Sequence, residues 1–244
     1  MAKKASPTAT TPVPIPQVHL SDLLNEYNQF GKQHLRDILK MTGDRKQLQS
    51  MPPYDYFFQL GTGLHFTNAI RAKTKWLQFC VCAQSGTKGK PRNSHQKCIS
   101  TTSIQAFANE AVKQGLLNKS YNTFEDVYDD IFNISKTLNK TAKNGNHLGD
   151  LFIYDVSLRF AYNIGITPKK YVYLHAGPLE AAEKLEKLGL ISLKPNLQAL
   201  PWKNGYHRVC TTVFSNLFPA MESMDIENFL CIAKAYFMPQ LIIP

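Results

Sequence analysis

Across 151–164, apolar side chains return at three- and four-residue steps, through Leu151, Ile153, Tyr154, Leu158, Ala161 and Tyr162. That spacing follows one face of a helix; a half-buried strand would alternate instead. Gly149-Asp150 reads as the helix start, with an acid at the positive end of the dipole, and Gly165 with Pro168 as its stop. The short run Tyr171-Val172-Tyr173-Leu174 is strand-like. After His175-Ala176-Gly177 the pattern predicts a helix over 178–188. Pro178 stands at its first position, Glu180–Lys184 and Glu183–Lys187 are at i,i+4, and Gly189 closes it.

The same periodicity predicts a helix after Ser21-Asp22, read as its N-cap pair, carrying Leu23, Leu24, Tyr27 and Phe30. Further helices are expected over 33–41, 103–117, 124–138 and 226–236. Asp126, Asp129 and Asp130 read as a solvated acidic face. Met51-Pro52-Pro53 breaks the chain, and 54–82 is aromatic and apolar around Gly61-Thr62-Gly63, read as a turn between helices. Residues 5–16, rich in proline, threonine and alanine, cannot bury apolar surface. A disordered segment over 1–18 is therefore expected, followed by one mainly helical domain over 19–244. Two lobes around a cleft are one way to arrange it.

Composition narrows the function classes. Of 244 residues, 28 are basic and 18 acidic, for a net charge of +10, which favours polyanions, nucleic acid first. Five cysteines in no regular framework, with no apolar core behind Met1-Ala2-Lys3-Lys4, point to a reducing, cytoplasmic setting. No apolar run approaches the roughly 20 residues that cross a bilayer. No phosphate-binding glycine loop with Lys-Ser or Lys-Thr, and no Gly-x-Ser-x-Gly elbow, is present. A monomer without membrane contact or cofactor is expected.

Candidate chemistry falls in three places. Asp155 and Arg159 share one helix face among apolar neighbours, so the carboxylate is either held by the arginine or used. The stretch 85–97 is a loop by composition and carries Lys88, Lys90, Arg92 and Lys97 with no acid, as a segment that tracks phosphates would. Cys80, Cys82, His95 and Cys98 are four zinc-ligand types, but their spacing is not that of a standard finger, and no metal is expected.

The order Leu148-Gly149, then a helix, then Tyr173-Leu174-His175-Ala176-Gly177 resembles the helix-hairpin-helix element of DNA glycosylases. The first glycine of that pattern is His147 here. Leu151 stands where some members carry a nucleophilic lysine, and a histidine, His175, where the catalytic aspartate is expected. The resemblance implies a mainly helical fold that flips a base out of double-stranded DNA and excises it. It also implies a carboxylate opposite the sugar, for which Asp155 is the first choice and His175 and Asp150 the rivals. Gly149, His147, Lys88, Lys90, Arg92 and Lys97 would then hold DNA, and Tyr154, Tyr173 and Trp76 would stack on the extruded base. The segments around Gly149-Asp150-Leu151, Tyr154-Asp155, Arg159 and Tyr173–Gly177 also look like a group of uncharacterised bacterial proteins, which implies lineage without an activity. A non-catalytic helix-hairpin-helix module, or a basic surface for an acidic partner, are the other readings.

Overall fold

The computed structural model describes residues 17–41, 50–63, 72–79, 99–142, 147–200, 207–237 and 241–242. The fold is mainly α. Strand β1 (Val18–His19) leads into α1 (Leu20–Glu26), which continues through a π-helical turn, Tyr27–Gly31, into α2 (Lys32–Met41). Ser21 and Asp22 therefore lie in the first turn of α1 and His19 is its N-cap. Helix α3 (Pro53–Thr62) starts on the proline that ends the preceding break, because proline's missing N–H costs nothing in a first turn. It closes at Gly63, whose φ of 62° favours glycine. Gly61 lies inside α3, pressed against Ile104, where an added Cβ would come within 2.6 Å of Cγ2. The Gly61-Thr62-Gly63 sequence is thus a helix end that packs closely. The hairpin β2 (Ala72–Lys73) and β3 (Gln78–Phe79) follows. Glu26 holds its turn, accepting from the Trp76 and Leu77 backbone N–H groups at 3.0 and 2.9 Å.

Helix α4 (Thr101–Lys113) is capped by Ser100, whose Oγ accepts from the Ser103 N–H at 3.0 Å. Helix α5 (Phe124–Thr141) opens with a reciprocal box: Asp126 N–H donates to Thr123 Oγ1 at 3.2 Å, and Thr123 N–H to Asp126 Oδ2 at 2.9 Å. Asp126 and Asp129 are exposed, as a solvated acidic face requires, whereas Asp130 is half-buried and accepts from Lys119 Nζ at 2.7 Å and Tyr121 Oη at 2.9 Å. Helix α6 (Asp150–Asn163) has Gly149 as N-cap and ends at Gly165, with φ of 84° and Ile166 N–H bonded back to Ala161 at 2.8 Å. Strand β4 (Tyr171–Leu174) and helix α7 (Ala176–Lys187) come next. Helix α7 starts two residues before Pro178, with His175 as N-cap. It ends at Gly189, whose φ is 74°. Strands β5 (Gln198–Ala199) and β6 (His207–Cys210) complete an antiparallel sheet in the order β4-β6-β5. Helix α8 (Ser223–Ala233) and β7 (Leu241–Ile242), paired parallel to β1, end the described chain.

Two apolar cores result. The first gathers Leu35, Tyr56, Phe57, Phe107, Ile131 and Phe160 from α2 to α6. The second gathers Leu23, Tyr27, Val172, Leu185, Phe229 and Phe237 from α1, β4, α7 and the end of the chain. Each fully buried side chain of this size contributes roughly 1.5–3 kcal/mol. Strand β4 separates the cores, because successive side chains point to opposite faces: Tyr173 enters the first, Val172 and Leu174 the second. Among the described residues, no helix is long and apolar enough to cross a membrane.

Candidate active site

Buried charged groups collect where the two cores meet. Helix α6 brings Tyr154, Asp155 and Arg159, and α8 brings Asp225 and Glu227. His175 comes from the N-cap of α7, Tyr27 from the π turn and Arg36 from α2. Burying charge is costly without partners, so each contact matters. The Arg159 guanidinium lies 3.5 Å from Asp155 Oδ2 and donates to the Leu60 carbonyl at 2.8 Å, tying α6 to α3. Arg36 holds Asp225 through two parallel bonds of 2.8 and 3.0 Å, and Tyr27 Oη donates to the same carboxylate at 3.3 Å. The bond to Asp225 raises the Arg36 pKa, which keeps the guanidinium charged.

Glu227 has a different environment. Its Oε1 lies 3.4 Å from His175 Nε2, and each side chain leaves 10% of its surface exposed. Burial, with the negative charge of Asp155 added to it, pushes the Glu227 carboxyl well above the usual carboxylate range; a hydrogen bond from Tyr154 opposes this. That carboxyl lies beside a second carboxylate whose charge Arg159 compensates. Two neighbouring carboxyl groups with unlike environments can divide acid and base roles. The Tyr154 hydroxyl is pushed upward too, by burial first and then by Glu227 and Asp155.

Eight of the residues proposed from sequence are among those described: Asp150, Asp155, His175, Tyr154, Tyr173, Trp76, His147 and Gly149. Asp155, His175 and Tyr154 come together at this seam, and the Tyr154 ring lies 5.1 Å from the imidazole. Tyr154 and Tyr173 are 3% and 1% exposed, with their rings 5.2 Å apart and Tyr128 5.0 Å beyond. Their faces are occupied by protein, so a base could stack on them only after those rings moved. Trp76 packs edge-on to Tyr236 at the margin of the second core, under the Lys75 ammonium. Asp150 turns away from Asp155, toward α5. It is 2% exposed, and neither carboxylate oxygen has a hydrogen-bond partner. Burial raises its pKa to about 6.

His147 is exposed, and Gly149 adopts φ of −84° with nothing within 4 Å of an added Cβ. The start of α6 is instead fixed by Asn139, which exchanges bonds of 3.0 and 2.9 Å with the Leu148 backbone. Lys88, Lys90, Arg92 and Lys97 lie outside the described residues, as do Cys80, Cys82, His95 and Cys98. Among the described residues, no three of His, Cys, Asp and Glu gather as a metal site.

Sequence reasoning passed over Glu227. The available signal was two acids, Asp225 and Glu227, inside the apolar run Met224-Asp225-Ile226-Glu227-Asn228-Phe229-Leu230. Comparison with known proteins finds no matching family model, no similar curated protein and no similar solved structure.

Proposed function

We propose that the chain is a DNA glycosylase-like enzyme, which takes one base out of the duplex and hydrolyses the N-glycosidic bond that holds it. The observation that carries this reading is a pair of carboxyl groups at the seam in unlike surroundings, Asp155 at 3.5 Å from the Arg159 guanidinium and Glu227 buried at 3.4 Å from His175. Breaking a glycosidic bond builds positive charge on the sugar, and a fixed carboxylate there stabilises the transition state. The net charge of +10 supports a polyanionic substrate. In this reading the protein works as a monomer in the cytoplasm, on double-stranded DNA and without a cofactor.

The test is single-turnover release of base from a panel of duplexes carrying damaged or modified bases, read as abasic sites. Asp155→Asn should lower the rate by about 10²–10³ while DNA binding persists. Absence of abasic sites on every duplex, with DNA bound, removes the enzyme reading. A non-catalytic helix-hairpin-helix DNA-binding protein would then stand. The observation favouring that second reading is that Arg159 engages both Asp155 and the Leu60 carbonyl, as a structural tie would.

A further inference from the structure

We propose that Lys169, Lys170 and Arg208, gathered around Tyr171, form a docking surface for the phosphate backbone of duplex DNA. The partner rests on the DNA reading above; the surface rests on the sheet. Cross-strand neighbours share a face, and the register pairs Tyr171 with Cys210, Tyr173 with Arg208 and Gln198 with Arg208. At one end of this face the Phe124 and Tyr128 rings of α5 cover Tyr173, at 5.3 and 5.0 Å. At the other end Tyr171 is half-buried. The Arg208 guanidinium lies over its ring at 4.3 Å and the Lys170 ammonium at 5.0 Å. Two cations held on one ring repel each other, and an anion between them relieves both.

The lysines stand on fixed backbone. Thr211 N–H donates to the Lys170 carbonyl at 3.0 Å, and Thr211 Oγ1 to the Lys169 carbonyl at 3.1 Å. Both side chains are exposed and line a groove of about 240 Å³ against the start of α5. Elsewhere Arg36, Lys119 and Lys184 each meet a carboxylate at 2.7 or 2.8 Å. Among the described residues, Lys169, Lys170 and Arg208 pair with none; Arg208 Nε donates instead to the neutral Gln198 amide oxygen at 3.2 Å. The nearby acids belong to α5. Asp126 is committed to the cap of that helix, while Glu125 and Asp129 bond to none of the three cations and bound the surface on that side. Fixed, unpaired cations side by side suit an extended polyanion, whose successive phosphates meet several of them at once.

The test uses the full chain in two arms. In the first, binding to a short duplex is followed against salt by fluorescence anisotropy. Lys169→Ala with Lys170→Ala should weaken binding to every duplex alike and lower the slope of log affinity against log salt by about 2. Lys113→Ala with Lys187→Ala removes the same charge from exposed positions on α4 and α7 and should leave the slope near that of the unaltered chain. An unchanged slope in the first pair, or an equal drop in both pairs, overturns the surface. In the second arm, alkylation of Cys210 by iodoacetamide is followed by mass spectrometry, with Cys231 on α8 as the internal reference. Cys210 is half-buried on the face of Tyr171, and its thiol is held below the ordinary range by hydrogen bonds from Thr212 and then by the Lys170 charge. Bound duplex should slow Cys210 several-fold and leave Cys231 unchanged. Duplex bound with Cys210 alkylated at its free rate overturns the surface. If both arms come out as expected and no duplex yields abasic sites, the enzyme reading fails and the surface stands. If abasic sites form while neither arm moves, the surface fails alone; if no duplex binds, both fail.

Discussion

Asp225 and Glu227 stand two residues apart on the same helix, both buried, and the protein treats them in opposite ways. Asp225 receives a two-pronged guanidinium and a tyrosine hydroxyl, which replace most of the water it lost. Glu227 receives a histidine at the positive end of a helix, a tyrosine and the field of a second carboxylate. The first arrangement stabilises a charge and fastens α2 to α8. The second opposes the ionisation of a buried acid. Burial alone does not distinguish structure from chemistry; what distinguishes them is whether the neighbours complete the charge or oppose it.

The sharpest way to break this contrast is to truncate the satisfied member. Asp225→Ala leaves the Arg36 guanidinium without its two-pronged partner and should cost about 3 kcal/mol, read by urea denaturation. A loss of well under 1 kcal/mol would mean that the Arg36 clamp holds nothing together.

Asp150 extends the comparison, since it is buried with neither kind of neighbour. Its folded-state pKa of about 6 lies above the ordinary 3.8. The folded chain therefore binds this proton more tightly than the unfolded chain. The resulting stability is present below the unfolded value and is lost as pH rises through about 6. The full effect is about 3 kcal/mol, less what the positive helix end returns to the ionised form. Asp150→Asn should flatten the stability–pH curve between mildly acid and neutral conditions, and stabilise the protein at neutral pH. An unaltered curve would show that the carboxyl is solvated in the folded state.

Glu227→Gln gives a smaller effect and sharpens the contrast with Asp225. An amide keeps the shape of the side chain and removes a carboxyl whose ionisation burial opposes, so stability at neutral pH should change by no more than about 1 kcal/mol. A loss as large as that of Asp225→Ala would place Glu227 among the structural charges. Smallest of all is Gly149→Ala. Its backbone lies outside the left-handed region and an added Cβ meets nothing, so a change under about 0.5 kcal/mol is expected by thermal denaturation. If DNA binding fell with stability unchanged, Gly149 would be needed for close approach of a phosphate.

The helices were largely legible because their signals are local. Gly165 and Gly189 stop them, and the periodicity of 151–164 matches α6 to within a residue. The errors fall where a terminus depends on something distant. Helix α7 begins before Pro178 because a proline is tolerated anywhere in the first turn, so it marks the region and not the first residue. Helix α8 begins at Ser223, three residues before the expected start, and Asp225 sits in that missed turn. Asp155 could be found because its Arg159 partner is one turn away. Glu227 could not, because its partners come from residues 154, 155 and 175, and nothing local indicates that α6 covers it. The Gly61-Thr62-Gly63 pair misled for a similar reason: Gly61 is small to admit Ile104, a requirement set by packing between helices.

The π-helical turn at Tyr27–Gly31 sets the angular phase of everything beyond it. A regular α-helix advances about 100° per residue, so positions nine apart point in opposite directions. Tyr27 and Arg36 are such a pair, yet both reach Asp225. The wide turn absorbs one residue without the rotation that goes with it, which leaves the two side chains on neighbouring faces. The seam is thus timed by one extra residue in the helix that crosses it. Deleting Asn28 would let the helix run regularly and keep Arg36 near its present phase, because the residue removed adds no rotation.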